Sequence, residues 1–182
     1  MPAQPDSPRL HFIYDEHLLP ATLLACCPQA KPLAVAHLPG YALGFYGHSK
    51  KWDGGEATPV LRKGGTLWGV VYALSADDEA RLDFAHRVRI DGTGAYFHSP
   101  AEAIDANGQT YEALMYMRNV LGQVQLPSRG YIEHLLRGAR AHALPAACLA
   151  ELAQTEAKQE DYPVPKESPF KSLFQVDQGC HC

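Results

Sequence analysis

Residues 65–88, GTLWGVVYALSADDEARLDFAHRV, predict a buried strand that leads directly into a short helix. Positions 67–74 are an apolar run rich in β-branched and aromatic side chains, which is typical of a strand buried on both faces. Ser75 is a suitable helix N-cap, and the carboxylates at 77–79 occupy the first turn, where the helix dipole favours negative charge. We expect this helix to end near His86, at the mouth of the fold.

The composition is that of an ordinary globular protein. A chain of 182 residues with 46% hydrophobic and 20% charged side chains predicts one domain with a tail. The net charge of −4 provides no electrostatic footprint for nucleic acid or an anionic membrane. No apolar run approaches the ~20 residues of a membrane span, and the proline-rich N-terminus lacks the layout of a signal peptide. We therefore expect a cytoplasmic protein with no nucleic-acid and no membrane partner.

The elements around this stretch predict one domain over residues 10–158, after a flexible segment at 1–9 and before a proline-rich extended tail at 159–182. Asn107-Gly108 is the strongest hairpin signal, and Pro39-Gly40 and Lys63-Gly64-Gly65 predict further turns. The order predicts an α+β fold, a mixed, closed sheet with a few peripheral helices. Further predicted strands lie at 10–14, 33–38, 41–46, 57–61, 88–90, 95–98, 101–104 and 110–116, and further predicted helices at 18–25, 129–142 and 144–158.

The five cysteines do not form an obvious disulfide framework. Cys26 and Cys27 are neighbours within an apolar helical pattern, and Cys148 lies in another. Cys180-His181-Cys182 has the residue types of a metal- or thiol-reactive tail, but one residue between two cysteines suits zinc less well than two. A reduced tail without a site is therefore the favoured interpretation.

Short motifs in a fixed order carry a resemblance to the γ-glutamylcyclotransferases, also called AIG2-like proteins, over roughly residues 11–153. Trp52-Asp53-Gly54-Gly55-Glu56-Ala57-Thr58 is similar to the family's Trp-x-Gly-Gly-x-Ala-Thr segment, and Leu67-Trp68-Gly69-Val70-Val71 resembles its Val-Trp-Gly-Val-Val strand. The family's Pro-Ser-x-x-Tyr helix start and its later Gly-Ala and Leu-Pro pairs are similar to residues 127–131, 138–139 and 144–145. The resemblance implies a small mixed β-barrel with flanking helices and a cavity at one end.

The motifs that carry catalysis in this family are changed here. The family's loop Tyr-Gly-Ser-Asn-Leu appears as Tyr14-Asp15-Glu16-His17-Leu18, and His86 replaces the glutamate of its Leu-Asp-x-x-Glu-Gly motif. In relatives the loop offers backbone N–H groups to the substrate's glutamyl carboxylate, and the glutamate is the general acid/base for ring closure. By this resemblance Asp15 and Glu16 repel such a carboxylate, and Glu56 stands at a position that is apolar in relatives. The scaffold is therefore retained, and the chemistry is expected to differ.

A metal site is the leading hypothesis for these changed residues. The resemblance places the loop and His86 around one cavity, with Glu56 on a neighbouring strand. Two imidazoles, His17 and His86, with a carboxylate from Glu56 or Glu16, suit a divalent iron, zinc or copper ion with open positions. Charged groups inside a cavity are costly unless they are compensated, and a cation compensates them. We expect a metal-dependent oxygenase or hydrolase with no nucleotide cofactor.

Two alternatives stay open. In one, His86 takes over as proton shuttle, and the protein releases 5-oxoproline from a γ-glutamyl or related aminoacyl substrate. In the other, the protein is a non-catalytic relative that binds a small molecule, which by the resemblance is amino-acid-derived. The sequence does not predict the oligomeric state. The predicted catalytic residues are His86, Tyr131 and Arg87, and the predicted substrate-binding residues are Tyr14, Asp15, Leu18, Gly55 and Tyr96.

Other polar and aromatic residues have simpler interpretations. Trp52 and Trp68 are predicted packing anchors. Arg87 either holds an anionic substrate or pairs with Asp83. His48 and His98 are predicted reserve ligands or groups that support the ligands. The remaining histidines are expected on the surface or on helix faces: His11, His37, His134 and His142.

Overall fold

The computed structural model describes residues 8–166 as a five-stranded barrel with four flanking α-helices. Parts of the predicted segments at 1–9 and 159–182, including Cys180-His181-Cys182, lie outside the described residues. The strands are β1 Arg9–Ile13, β2 Lys31–Ser49, β3 Gly54–Leu74, β4 Tyr96–Asp105 and β5 Thr110–Arg118. The helices are α1 Pro20–Cys26, α2 Ala76–Ala85, α3 Arg129–Ala141 and α4 Ala146–Gln154, and a 3₁₀ turn spans Glu16–Leu18.

The barrel closes in the strand order β1-β3-β2-β4-β5, and β5 returns to β1. β1 and β5 pair in parallel at His11 and Leu114, whereas the other neighbours are antiparallel. Closure gives each of these five strands two neighbours, although β1 and β5 meet through a single pair and β2 and β4 through two. The structure thereby confirms the predicted α+β class and the mixed barrel with flanking helices.

The strand and helix predicted from residues 65–88 are both present. The end of β3, residues 67–74, is almost entirely buried, and β1 covers it through pairs from Arg9 with Leu74 to Ile13 with Val70. Ser75 caps α2, because its side chain accepts a hydrogen bond from the Asp78 N–H at 3.2 Å. α2 ends at Ala85, and His86 is its C-terminal cap residue. His86 therefore has a defined position at the end of the barrel.

Two predicted turns are wrong. β2 runs without a break through Pro39-Gly40, and β3 runs through residues 63–65. The two strands pair from Lys31–Ala73 to Ser49–Gly54, and the turn between them is residues 50–53. The register shifts where Pro39 pairs with Thr66 and Tyr41 with Leu61, and Gly40 has a φ of +79° there. These glycines therefore form a bulge inside one long hairpin, because the extended pairing outweighs the local turn signal.

The predicted strand at 88–90 is also absent, and these residues belong to the irregular connection between α2 and β4. The hairpin across Asn107-Gly108 is confirmed, with β4 and β5 paired from Tyr96–Arg118 to Ile104–Thr110. Gly108 has a φ of +81°, a conformation that glycine adopts without steric cost. The strongest local turn signal thus predicts the correct connection.

A close helix–loop contact positions the segment after β1. A Cβ built on Gly138 of α3 would lie 2.7 Å from the Leu19 nitrogen and 2.8 Å from the Leu18 carbonyl carbon. Only a glycine lets the two backbones approach this closely. α3 buries its apolar face beside this contact, so the loop at 15–19 rests directly on the helix.

His11 does not lie on the surface, as predicted, but inside the barrel wall. Its side chain is 0% exposed, and neither ring nitrogen has a hydrogen-bond partner among the described residues. Burial is the largest influence on its pKa, which is lowered to about 4, so the ring is neutral at physiological pH. The closure of β1 against β5, which the sequence does not reveal, causes this burial.

None of the helices in residues 8–166 is long and apolar enough to cross a membrane.

Candidate functional site

Asp15 organises the polar loop that follows β1. It is the N-cap of the 3₁₀ turn, and its Oδ1 accepts a hydrogen bond from the His17 N–H at 2.9 Å. The same oxygen lies 3.2 Å from Nδ1 of the His17 ring. The turn therefore presents an aspartate and a histidine side by side.

His86 approaches this loop from the end of α2. Its Nδ1 lies 3.0 Å from the Leu82 carbonyl oxygen, and because a carbonyl only accepts, Nδ1 carries a proton and donates. The other ring nitrogen, Nε2, lies 2.5 Å from Asp15 Oδ2. The Asp15 carboxylate thus bridges two imidazoles whose ring centres are 5.0 Å apart.

We call Asp15, His17 and His86 the triad. One potential ligand atom from each residue lies within 4.8 Å of those of the other two. Each residue is buried, with exposures of 7%, 5% and 5%. The triad thus brings together three positions at which this chain differs from the family motifs described above.

Aromatic rings enclose His86. Tyr116 of β5 stacks on it with ring centres 3.8 Å apart and planes 3° apart, and Tyr96 meets it edge-on at 5.4 Å. Tyr14 donates its hydroxyl hydrogen to the Tyr116 carbonyl oxygen at 2.5 Å. These contacts restrict the imidazole to one orientation. Tyr116 was not predicted as a site residue, because nothing in its local sequence shows that β5 faces α2.

The protonation of the triad follows from its burial and its charges. Burial raises the pKa of Asp15, but the His86 and His17 charges lower it more, and the net pKa is well below the usual value. Burial lowers the pKa of His17, but Asp15 raises it more, and the net shift is upward. The directions of these two shifts favour an ionised Asp15 carboxylate beside a protonated His17 ring.

Neither glutamate predicted as a metal ligand belongs to the triad. Glu16 points to the other side of the loop, where it accepts hydrogen bonds from Lys51 Nζ at 2.5 Å and Trp52 Nε1 at 2.8 Å. Glu56 is paired with Arg118 and with Arg87. The carboxylate that meets both histidines is Asp15, which was predicted only as a substrate-binding residue.

Arg87 pairs with Glu56 at 2.7 Å and not with Asp83, and its side chain is 60% exposed. Tyr131 is buried and stacks on Trp52 at 4.8 Å, which supports the predicted packing role of Trp52. Burial, followed by the Asp15 charge, raises the pKa of Tyr131 well above its usual value. The predicted catalytic roles of Arg87 and Tyr131 stay predictions.

The other predicted substrate-binding residues lie in three places. Tyr96 lies at the triad and donates its hydroxyl hydrogen to the Ala57 carbonyl oxygen at 2.9 Å. Gly55 packs against backbone, since a Cβ there would lie 2.5 Å from the Gln125 oxygen. Tyr14 and Leu18 also line a separate cavity of about 120 Å³ against α4. Tyr14 thus links the triad to that cavity.

His48 and His98, the predicted reserve ligands, lie outside the triad. His48 lies near the end of β2, and its Nε2 is 3.7 Å from Oδ1 of Asp53, which lies in the turn between β2 and β3. His98 is hydrogen-bonded to Asp83 at 2.6 Å.

The fold and the site define a small α+β barrel protein with a buried Asp–His–His triad at one end. The sequence profile of the AIG2-like family matches residues 66–152. The γ-glutamylcyclotransferase of Mus musculus is 25% identical over 154 residues, which cover 82% of this chain and 80% of that protein. The Homo sapiens γ-glutamylcyclotransferase is 26% identical over 140 residues, covering 75% and 72%.

A solved structure of a γ-glutamyl cyclotransferase superposes with a TM-score of 0.81 at 23% identity, and it covers 92% of this chain and 98% of the other. This agreement confirms the fold. The sequence matches agree with the resemblance that the motifs carry. The chain is thus similar in sequence to the γ-glutamylcyclotransferases and, over residues 66–152, to the AIG2-like family.

Proposed function

We propose that this protein is a small-molecule enzyme in which Asp15, His17 and His86 hold a divalent metal ion. The observation that carries the proposal is the meeting of two imidazoles and one carboxylate at a single buried point. Such a ligand set suits iron, zinc or copper and leaves coordination positions for water and substrate. The proposal keeps the two predicted histidines and replaces the predicted glutamate by Asp15.

The distances between ligand atoms support this proposal. Ligands at ~2.0–2.2 Å from a metal ion lie roughly 3.0–3.5 Å from one another in octahedral or tetrahedral geometry. The His17 Nδ1 to Asp15 Oδ1 distance is 3.2 Å, within this range. The His86 Nε2 to Asp15 Oδ2 distance is 2.5 Å, the length of a short charged hydrogen bond. Replacing that hydrogen by a metal ion requires these two atoms to separate by about 0.5 Å or more.

The surroundings of His86 also favour a ligand role. Histidines that bind metals usually donate the other ring N–H to a carbonyl or carboxylate, which fixes the orientation of the ring. His86 makes this contact through Nδ1 with the Leu82 carbonyl, so Nε2 is the nitrogen that faces Asp15. The stacked Tyr116 ring prevents it from turning away.

Charge gives a further argument. A buried carboxylate needs a compensating cation, and the raised pKa of His17 favours a proton on that ring in this role. A metal ion would displace that proton and keep the positive charge. We therefore propose that metal affinity rises with pH, because the ligands must lose the proton before they bind.

When bound, such an ion would activate water or dioxygen, or polarise a carbonyl group of the substrate. Tyr96 and Tyr116 would exclude water from one side of His86. The relatives are named γ-glutamylcyclotransferases, and we extend from that name a small, amino-acid-derived substrate to this chain.

Cyclotransferase chemistry is the second candidate, because His86 stands where the family motif carries its glutamate and the named relatives are cyclotransferases. In this reaction the substrate's α-amino nitrogen attacks its γ-carbonyl carbon, forming the ring amide. His86 would accept the proton from that nitrogen and return it to the departing amine, so that 5-oxoproline and the free amine leave. This requires His86 Nε2 to exchange its contact with Asp15 for one with the substrate.

The two candidates differ in their need for metal. Zn²⁺ titration by calorimetry should detect a site in the wild-type protein that His17→Ala and His86→Ala both remove. His48→Ala is the matched control, because it removes an imidazole that lies outside the triad. Release of 5-oxoproline from γ-glutamyl amides by chelator-treated protein, abolished by His86→Ala, would establish the second candidate instead. Zn²⁺ binding that is unchanged in both triad variants would refute the metal proposal.

A further inference from the structure

A second polar cluster lies beside the hydroxyl group of Tyr116. Glu79 and Asp83 are four residues apart on α2 and share one helix face, and His98 projects from β4 beside them. One potential ligand atom from each of the three lies within 4.8 Å of the others. The Tyr116 hydroxyl donates to Asp83 Oδ1 at 2.7 Å, so this tyrosine contacts both clusters.

His11 gives this cluster an unexplained buried donor. Its side chain is 0% exposed, and neither Nδ1 nor Nε2 has a hydrogen-bond partner among the described residues. Nε2 points towards the cluster and lies 3.9 Å from Glu79 Oε2. The His11 ring also meets the His98 ring edge-on at 5.6 Å. Buried polar atoms are nearly always satisfied, so an orphaned imidazole next to two carboxylates indicates a missing partner.

We propose that His11, Glu79, Asp83 and His98 form a second divalent cation site. Two imidazoles and two carboxylates make a four-ligand set of the kind that zinc, ferrous iron or manganese accepts. An ion between Glu79 and His11 would bond to the orphaned Nε2 of His11. Its positive charge would also reduce the repulsion between the Glu79 and Asp83 carboxylates. Calcium and magnesium fit less well, because they prefer oxygen ligands alone.

The contacts already present would support these ligands. Arg9 donates to Glu79 Oε1 at 2.9 Å, which leaves Oε2 on the side of His11. Tyr116 and His98 both approach Asp83 Oδ1, at 2.7 Å and 2.6 Å. Binding would shift His98 from its hydrogen bond with Asp83 to the ion, while Tyr116 would continue to orient the carboxylate.

An ion here would join two barrel strands and one flanking helix. His11 lies on β1, Glu79 and Asp83 on α2, and His98 on β4. Since α2 ends at His86, the ion would hold the helix that carries a triad ligand. The second site is therefore a positioning site for His86, and it is distinct from the triad in every ligand.

The test is a titration of the metal-free full-length protein with Co²⁺, monitored by absorption and by equilibrium dialysis. Asp83→Asn and His98→Gln should each remove one bound ion per chain, and His17→Ala should leave that ion in place. Asp83→Asn keeps the shape of the side chain and an oxygen for the Tyr116 hydroxyl, so it serves as the variant least harmful to folding. If the triad binds no metal, the wild-type protein should still bind the ion that depends on Asp83.

Two results would overturn the proposal. Co²⁺ stoichiometry equal to wild type in both Asp83→Asn and His98→Gln would show that the cluster binds no ion. A thiolate charge-transfer band accompanying the ion would assign it to cysteines, which are absent from this cluster.

Discussion

Gly138→Ala tests whether the loop that carries Asp15 and His17 is positioned by direct backbone contact with α3. Helix propensity alone predicts stabilisation, since alanine is favoured over glycine inside a helix by about 0.8–1.0 kcal/mol. The structure predicts the opposite sign. The added Cβ would lie 2.7 Å from the Leu19 nitrogen and 2.8 Å from the Leu18 carbonyl carbon. Both are backbone atoms, so no side-chain rotation relieves the contact.

The expected magnitude follows from these two opposing terms. Overpacking of this kind costs about 1–3 kcal/mol, and a clash with backbone belongs at the upper end of that range. After subtraction of the propensity gain, the net loss is about 1–2 kcal/mol. In a chain of 182 residues each kcal/mol lowers the melting temperature by about 2–4 °C. Movement of the loop should also weaken the proposed metal binding at the triad.

Urea denaturation of wild type, Gly138→Ala and Gly130→Ala measures this effect. Gly130 is a matched control in the same helix, where the added Cβ would meet the side-chain atoms Val164 Cγ2 and Glu160 Oε1. These atoms are able to move, so Gly130→Ala should be the milder change. A Gly138→Ala protein that is more stable than wild type by about 1 kcal/mol would refute the reasoning.

Three further predictions concern the triad's protonation and the ends of α3. Burial lowers the pKa of His17, but Asp15 raises it more, so the net shift from 6.5 is upward. The stabilisation that protonated His17 gives the folded state is therefore complete below pH 6.5 and is lost as the pH rises through the folded-state pKa. Metal-free protein should thus lose stability in urea titrations as the pH rises above 6.5, and His17→Gln should remove this dependence. Ala143 follows α3 with a φ of +52°, so Ala143→Gly should raise the free energy of unfolding by about 0.5–1 kcal/mol in thermal unfolding. A lower free energy of unfolding would contradict the assigned conformation. Ser128→Ala should lower the free energy of unfolding by about 1 kcal/mol in the same assay, because Ser128 Oγ accepts a hydrogen bond from the Tyr131 N–H at 3.2 Å. An unchanged unfolding midpoint would exclude a stabilising cap.

Features that depend on short-range chemistry are predictable from this sequence. Ser75 caps α2 because its hydroxyl reaches a backbone N–H three residues away, and Asn107-Gly108 turns the chain because glycine accepts positive φ. Pro39-Gly40 has the same kind of local signal but lies within a long strand. Its conformation depends on pairing with β3, which is distant in the sequence.

The proximity of His17 and His86 was predicted, and the carboxylate that lies between them was not. His17 and His86 meet as predicted, because the family motifs place their segments at one end of the barrel. The choice among Asp15, Glu16 and Glu56 depends on side-chain direction in a three-residue turn and on distant cations. Lys51 and Trp52 draw Glu16 outwards, and Arg118 holds Glu56. A sequence pattern carries no information about these partners.

His11 shows the same limitation for buried polar residues. On β1 it occupies an inward position only because the strand closes the barrel against β5 through one parallel pair. From the sequence alone, a histidine that follows Arg9 and Leu10 is predicted to lie on the surface. The orphaned ring nitrogens, on which the proposed second site rests, become visible only in three dimensions.

The most direct test of the triad as a metal centre is elemental analysis of the untagged protein, with Asp15→Asn compared with Glu16→Gln and Glu56→Gln. These changes remove one negative charge each and preserve side-chain shape. The account predicts that wild type and both glutamine variants retain iron, zinc or copper at the triad, and that Asp15→Asn lacks about one ion per chain. Equal metal content in Asp15→Asn and wild type, or a loss confined to either glutamine variant, would contradict the account.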